Sequence, residues 1–158
     1  MQIFIMRHGQ ASFQAESDAQ RKLTEQGKLE AELMGRWMEK MSIKPEKIWV
    51  SPYVRAQQTA NAVVEQLSST SQLVTQSFIT PSGNATDVRD IIDGELTVEP
   101  VEQLLLVSHM PFVSYIVSEL TQQEHSPIFQ TAGVVEINYN KDAMVGEFVR
   151  MVAPIDLC

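Results

Sequence analysis

Three short apolar runs in this chain each stop on side chains able to hold an anion. "QIFIM" ends on Arg7 and His8, "IWV" ends on Ser51 with Arg55 one helical turn further on, and "LLLV" ends on Ser108 and His109. A cation placed directly after a buried strand is costly unless it is paired or has a task. Arginine offers forked donors that match phosphate oxygens, and histidine adds a hydrogen-bonding ring that titrates near neutral pH. Two histidines and two arginines brought to one place would therefore suit a small, multiply charged anion, with phosphate the natural candidate. Gly9 would let the backbone come close to an oxyanion or adopt a positive φ.

Each residue alone also has a plainer explanation. A lone histidine at a strand end is more often a hydrogen-bonded structural residue, and Arg55 alone reads as a surface helix residue. Arg21, in "RKLT", could simply neutralise Asp18 or Glu25. His125, in "TQQEHSP", reads as a solvated loop residue. It is the common placement at strand ends that argues for a site.

The intervening segments alternate between strand and helix patterns. Gln2 to Met6 reads as a buried strand. A helix is expected over Thr24 to Met41, with Thr24 as N-cap and Leu29, Leu33, Met34, Trp37 and Met41 on the covered face. "KIWV" is a second strand, followed by a helix through Ala56, Ala60, Val63, Val64 and Leu67. "QLVTQ" is a third strand, "TPSGN" a loop, and Ala85 to Ile92 a short helix with Val88, Ile91 and Ile92 facing inward. "QLLLVSH" is a buried strand and Met110 to Leu120 a helix; "GVVEINYN" and "GEFVRMV", joined through Lys141 to Val145, form an antiparallel pair. This order implies an α/β three-layer sandwich with a mostly parallel central sheet and a C-terminal antiparallel pair. Its ligand site should lie at the carboxyl ends of the strands, where the three chemical runs should converge. Met34, Met38 and Met41, with Trp37, read as core or edge packing rather than a partner groove.

Composition narrows the possible functions. The 158 residues fit one domain spanning 1–158, and 20 acidic against 12 basic side chains give a formal charge of −8. That balance opposes a general nucleic-acid or anionic-membrane surface, so an anion must be held locally. No apolar run reaches spanning length and no leader is evident, which reads as a cytoplasmic protein. The single cysteine, Cys158, allows no intrachain disulfide and is a poor candidate for thiol catalysis. The three histidines have no metal-ligand spacing, arginines beside a metal would repel it, and no glycine-rich phosphate loop occurs. Neither a metal nor another cofactor is expected.

The pieces "IMRHGQA", "RKLTEQG", "VSPYVRAQQTA", "LTVEPVEQLLLVSHMP" and "FQTAG" resemble, along the whole chain, the histidine phosphatase superfamily, which includes the cofactor-independent phosphoglycerate mutases. The resemblance implies a phosphoglycerate mutase-like fold in which His8 is the nucleophile and becomes phosphorylated. It further implies that Arg7, Arg55 and His109 bind the transferring phosphoryl group, with Arg21 reaching the same pocket and Gly9, Ser51 and Ser108 next to it. Such a His8 should be neutral, with its second ring nitrogen donating to a backbone carbonyl, whereas His109 should work best protonated. Larger members supply a carboxylic acid from the segment that here reads "ITPSGNATDVRDIIDGEL"; Asp87, Asp90 and Asp93 lie in it, but none aligns with that role. An alkoxide leaves poorly without an acid, whereas phosphohistidine leaves as imidazole.

The implied function is a metal-independent protein phosphohistidine phosphatase. Its partner would be a phosphohistidine-bearing protein such as a histidine phosphotransfer domain of a sensor-kinase relay, or a carrier of the sugar phosphotransferase system. The alternatives are a small-molecule phosphomonoesterase or mutase, which would need an acid, and a silent phosphoprotein-binding module, which would never carry phosphate on His8.

Overall fold

Alternating apolar side chains send the strands' two faces into two separate cores. The computed structural model describes residues 1–158. Its strands are β1 (Gln2–Arg7), β2 (Lys47–Val50), β3 (Gln72–Thr75), β4 (Gln103–Ser108), β5 (Val134–Asn140) and β6 (Val145–Val152). They form one sheet in the order β3-β2-β4-β1-β5-β6. The first four strands of that order run parallel, β5 is antiparallel to β1, and β6 is antiparallel to β5. Phe4 and Met6 of β1, with Leu105 and Val107 of β4, pack under α1 (Glu25–Lys40) and α2 (Val54–Glu65). Ile3 and Ile5, with Leu104 and Leu106, face α3 (Ala85–Val98) and α4 (Phe112–Leu120). The result is the expected three-layer sandwich, since parallel strands buried on both faces need helices on both sides.

β3 is one of the sheet's two edge strands and is mostly exposed, which explains its polar composition. No helix is long and apolar enough to cross a membrane.

Two helices differ from the sequence pattern. In α1 the N-cap is as expected, with Thr24 Oγ1 accepting from the Gly27 amide at 3.0 Å. The covered face, however, is Gly27, Ala31, Met34, Gly35 and Met38, while Leu29 is 56% exposed and Met41 42%. Of the expected face Met34 is buried and Leu33 and Trp37 are half-buried; the stripe is displaced because part of the contact is made by small residues that carry little hydrophobic signal. A Cβ on Gly27 would lie 2.0 Å from the carbonyl oxygen of Gln10, and one on Gly9 would lie 2.4 Å from that of Gly27. The helix therefore meets the loop after β1 backbone to backbone. Met34 and Met38 are fully buried as core packing.

The second difference is α3, which runs past Ile92 to Val98. Gly94 does not stop it, because Leu96 extends the buried line of Val88 and Ile92. Helix α4 begins at Phe112, with Pro111 in the capping position.

These contacts predict opposite signs for two glycine substitutions. Gly27→Ala should destabilise the protein by about 3 kcal/mol or more, because backbone must shift to admit the methyl group. Gly94→Ala, with nothing within 4 Å of the new carbon, should stabilise it by up to about 1 kcal/mol. Urea unfolding of both variants against the parent measures this, and a mild Gly27→Ala effect would contradict the close approach.

Candidate active site

Register brings the three strand ends together. Arg7 of β1 lies beside Ser108 of β4, and Val50 of β2 lies beside Val107 of β4. Two further backbone bonds carry the alignment past the strands, from the His8 amide to the Ser108 carbonyl at 3.0 Å and from the Ser51 amide to the Val107 carbonyl at 3.1 Å. His8, Ser51 and His109 are thereby placed side by side at the carboxyl edge, and α2 starts there with Arg55 in its first turn. The His8 and His109 rings lie 5.1 Å apart, and Arg55 Nε is 3.3 Å from His8 Nε2. Arg55 is only 3% exposed, so it is a buried cation and not a surface helix residue.

The hydrogen bonds fix the state of His8. Its Nδ1 is 2.7 Å from the carbonyl of Gly9, which can only accept, so Nδ1 carries the proton. Arg55 Nε–H can only donate, so the lone pair is on Nε2. Burial, against the opposing pull of the Gly9 carbonyl and with help from Arg55, Arg7 and Arg21, lowers the His8 pKa to about 4. A neutral imidazole with a directed lone pair is thus the resting form at pH 7.

His109 also rests neutral. Burial, together with His8, Arg55 and Arg7, lowers its pKa to about 3, with Asp18 pulling the other way, so in this site it is neutral and not an imidazolium. Its Nε2 is 2.7 Å from Ser51 Oγ, while its buried Nδ1 has no partner. The serine hydroxyl can give its proton to Nε2, which makes Nδ1 the free N–H. Buried Nε of Arg7 is likewise unpartnered, although Arg7 Nη1 donates to the Phe129 carbonyl at 2.8 Å. Buried donors without acceptors are what an absent anion would leave behind.

The remaining sequence candidates fall into two groups. Arg21 reaches the edge of the site, donating through Nε to the Ser12 carbonyl at 2.8 Å and through Nη1 to Asp18 at 3.2 Å. Ser108 Oγ donates to the Ile79 carbonyl at 2.6 Å and Ser51 braces His109, so both hydroxyls are engaged within the protein. Gly9 has no positive φ; its amide donates to Thr59 Oγ1 at 3.0 Å, its carbonyl holds His8, and its close approach to α1 leaves no room for a side chain. Asp87 lies exposed in the first turn of α3 and Asp90 pairs with Arg89. Asp93 accepts from the Tyr139 hydroxyl at 2.6 Å, and Tyr139 is at the opposite edge, bonded to Met1. None of the three is hydrogen-bonded to a site residue. His125 is exposed, stacked on Phe148.

Four residues escaped the sequence reading. Asp18 accepts from both Arg55 and Arg21. Buried Thr59, one turn beyond Arg55 on α2, donates to the Arg55 carbonyl at 2.7 Å while holding the Gly9 amide. Glu30 ties the loop after β1 to the one before β5, accepting from the Gln10 amide and the Thr131 hydroxyl. The ring of Tyr53 lies 5.0 Å from that of His109. Asp18 had a signal as a possible partner of Arg21, and Tyr53 and Thr59 lie within the piece "VSPYVRAQQTA" without a role being read from it; Glu30 is apparent only from packing.

The depressed histidine pKa values have a consequence for stability. Between pH 6.5 and about 4 the unfolded chain binds protons on His8 and His109 that the folded chain does not, so stability falls as pH falls through that window. His109→Gln removes one of the two and should flatten the dependence by on the order of 2 kcal/mol between pH 7 and 4.5. Urea unfolding at both pH values reads the difference; equal slopes for parent and variant would sink the assignment.

Known proteins resemble this chain in sequence and in backbone. The family model of the histidine phosphatase superfamily (branch 1) matches residues 3–77. Phosphohistidine phosphatase SixA of Escherichia coli is 36% identical over 157 residues, covering 99% of this chain and 96% of that protein. A SixA homolog of Haemophilus influenzae is 38% identical over 144 residues, 87% of each chain. The structure of the protein histidine phosphatase SixA complexed with tungstate superposes with a TM-score of 0.94 at 35% identity, over 100% of both chains. With likeness of this extent in sequence and backbone, the chain belongs to the histidine phosphatase superfamily.

Proposed function

We propose that this protein is a metal-independent protein phosphohistidine phosphatase that works through a phosphorylated His8. The observation that carries the reading is the His8 ring, neutral, pinned through Nδ1–H to the Gly9 carbonyl, with its Nε2 lone pair beside Arg55. A binding module has no use for so prepared a nucleophile. The whole-length likeness to SixA, named for this activity, supports the substrate class.

In the first step His8 Nε2 bonds to phosphorus as the substrate's P–N bond breaks. The departing imidazole keeps the electron pair and, protonated on its other nitrogen, leaves neutral. In the second step the oxygen of water bonds to phosphorus, the His8 P–N bond breaks, the pair returns to Nε2, and the water protons leave with phosphate or pass to solvent. Arg7, Arg55 and the free N–H of His109 stabilise the equatorial oxygens, with Arg21 adding charge from the edge. As the phosphoryl group arrives, its negative charge raises the pKa of His109, and a proton taken up there strengthens the contact.

Leaving-group chemistry favours the P–N bond over a phosphoester. The carboxylate joined to the site arginines, Asp18, is pulled upward by partial burial, but hydrogen bonds from Arg21 and Arg55 hold its pKa below the ordinary value. It stays ionised and is a poor acid for an alkoxide, whereas imidazole needs none. The guanidinium groups also repel a metal ion from the phosphoryl position. The natural partner is a histidine phosphotransfer domain or a phosphotransferase-system carrier in the cytoplasm.

Release of phosphate from a histidine-phosphorylated phosphotransfer domain, in the presence of a chelator, tests the reading. The parent should hydrolyse it, His8→Ala should not, and Arg55→Lys should be slower by about 10²–10³-fold. Hydrolysis of sugar phosphates in preference to the phosphoprotein would replace this reading with the phosphomonoesterase one.

A further inference from the structure

Asp18 places a negative charge where the site is otherwise built for an anion. Its backbone carbonyl accepts from Arg55 Nη1, its Oδ2 accepts from Arg55 Nη2 at 3.2 Å, and its Oδ1 accepts from Arg21 Nη1 at 3.2 Å. Both terminal nitrogens of Arg55 are engaged by this one residue, so the Nε edge is the part turned to His8, at 3.3 Å. Arg21 is held in turn by the Ser12 carbonyl and by the face of Phe13, 4.3 Å from its guanidinium carbon. A phosphoryl group on His8 Nε2 meets the same Arg55 that Asp18 already holds. Two anions then share one cation, which weakens the hold on the mobile one.

We infer that Asp18 is a positioning residue with a second effect through its charge: it clamps Arg55 with the Nε edge toward His8, and it lowers the site's affinity for product phosphate. This rests on the phosphatase reading above. The clamp prepares the guanidinium before substrate arrives, so no rearrangement accompanies the chemistry. The charge serves the end of the cycle, when several buried cationic and N–H donors would otherwise retain phosphate. An exposed ion pair without function would do neither, and the Asp18 side chain is 56% exposed, so solvent screening sets the scale of the effect.

The test is calorimetric binding of inorganic phosphate at low ionic strength to the parent, Asp18→Asn and Asp18→Glu, with phosphoprotein turnover and thermal unfolding measured alongside. Asp18→Asn keeps an acceptor but removes the charge, and should bind phosphate about three- to tenfold more tightly while turning over more slowly, with unfolding still a single cooperative transition. Asp18→Glu keeps the charge and should bind phosphate within about twofold of the parent. Unchanged or weaker phosphate binding by folded Asp18→Asn would overturn the charge effect, as would equal tightening in Asp18→Glu. Unchanged turnover in Asp18→Asn would overturn the clamp. Phosphate binding needs no P–N substrate, so failure of the parent to hydrolyse phosphohistidine counts against the phosphatase reading and leaves this one to be judged on its own data.

Discussion

The hydrogen bond from His8 Nδ1 to the carbonyl of the very next residue is the constraint around which the site is arranged. For that carbonyl to point back at the ring, the Gly9 peptide must be held from outside, and Thr59 on α2 does so through the Gly9 amide. For Thr59 to reach, Gly9 must lie against α1, where Gly27 leaves room. One tautomer of one histidine thus depends on two helices and a strand end fitting within a few tenths of an ångström. The fixed small-residue contact between α1 and the loop after β1 is the packing counterpart of the chemistry.

Charge is organised locally. An overall −8 makes the surface a poor general anion binder, yet Arg7, Arg55 and Arg21 converge at one edge of the sheet. Burial, reinforced by Arg55 and Arg7 at both rings and by Arg21 at His8, keeps both site histidines neutral, with Asp18 and Glu30 as the counter-charges within reach. A neutral His8 is what the proposed attack requires. A neutral His109 still donates through Nδ1 because Ser51 can satisfy Nε2, so the pocket need not hold a further buried charge. That distribution explains why the protonated His109 expected from its proposed role is not the resting form.

The fold was legible where long apolar runs and caps coincide. The four parallel strands, the terminal hairpin, the Thr24 cap and the α2 face through Ala56, Ala60 and Val63 follow directly from spacing. The pattern failed where contact depends on absence of side chain. The α1 stripe of glycine and alanine carries little hydrophobic signal, so Leu29 and Met41 drew attention that belonged to Gly27, Ala31 and Gly35. The expected helix stopped at Ile92, yet Leu96 is buried and the helix continues through Gly94, because burial of a leucine outweighs the roughly 1 kcal/mol propensity cost of one glycine.

By itself the sequence determined which groups stand at the strand ends, and with them the chemistry: Arg7, His8, Arg55 and His109 are specified by type and by position relative to apolar runs, which are local properties of the chain. Tertiary structure alone decided how those groups are held. Asp18, Thr59, Glu30 and the carbonyl of Phe129 act through partners dozens to more than a hundred residues away in most cases. Their roles carry no periodic signal, because a hydrogen bond across such separations depends on where the sheet register and helix packing bring the two atoms. The protonation states belong to the same category, since a histidine's pKa is set by burial and neighbouring charge, and both exist only once the chain has folded.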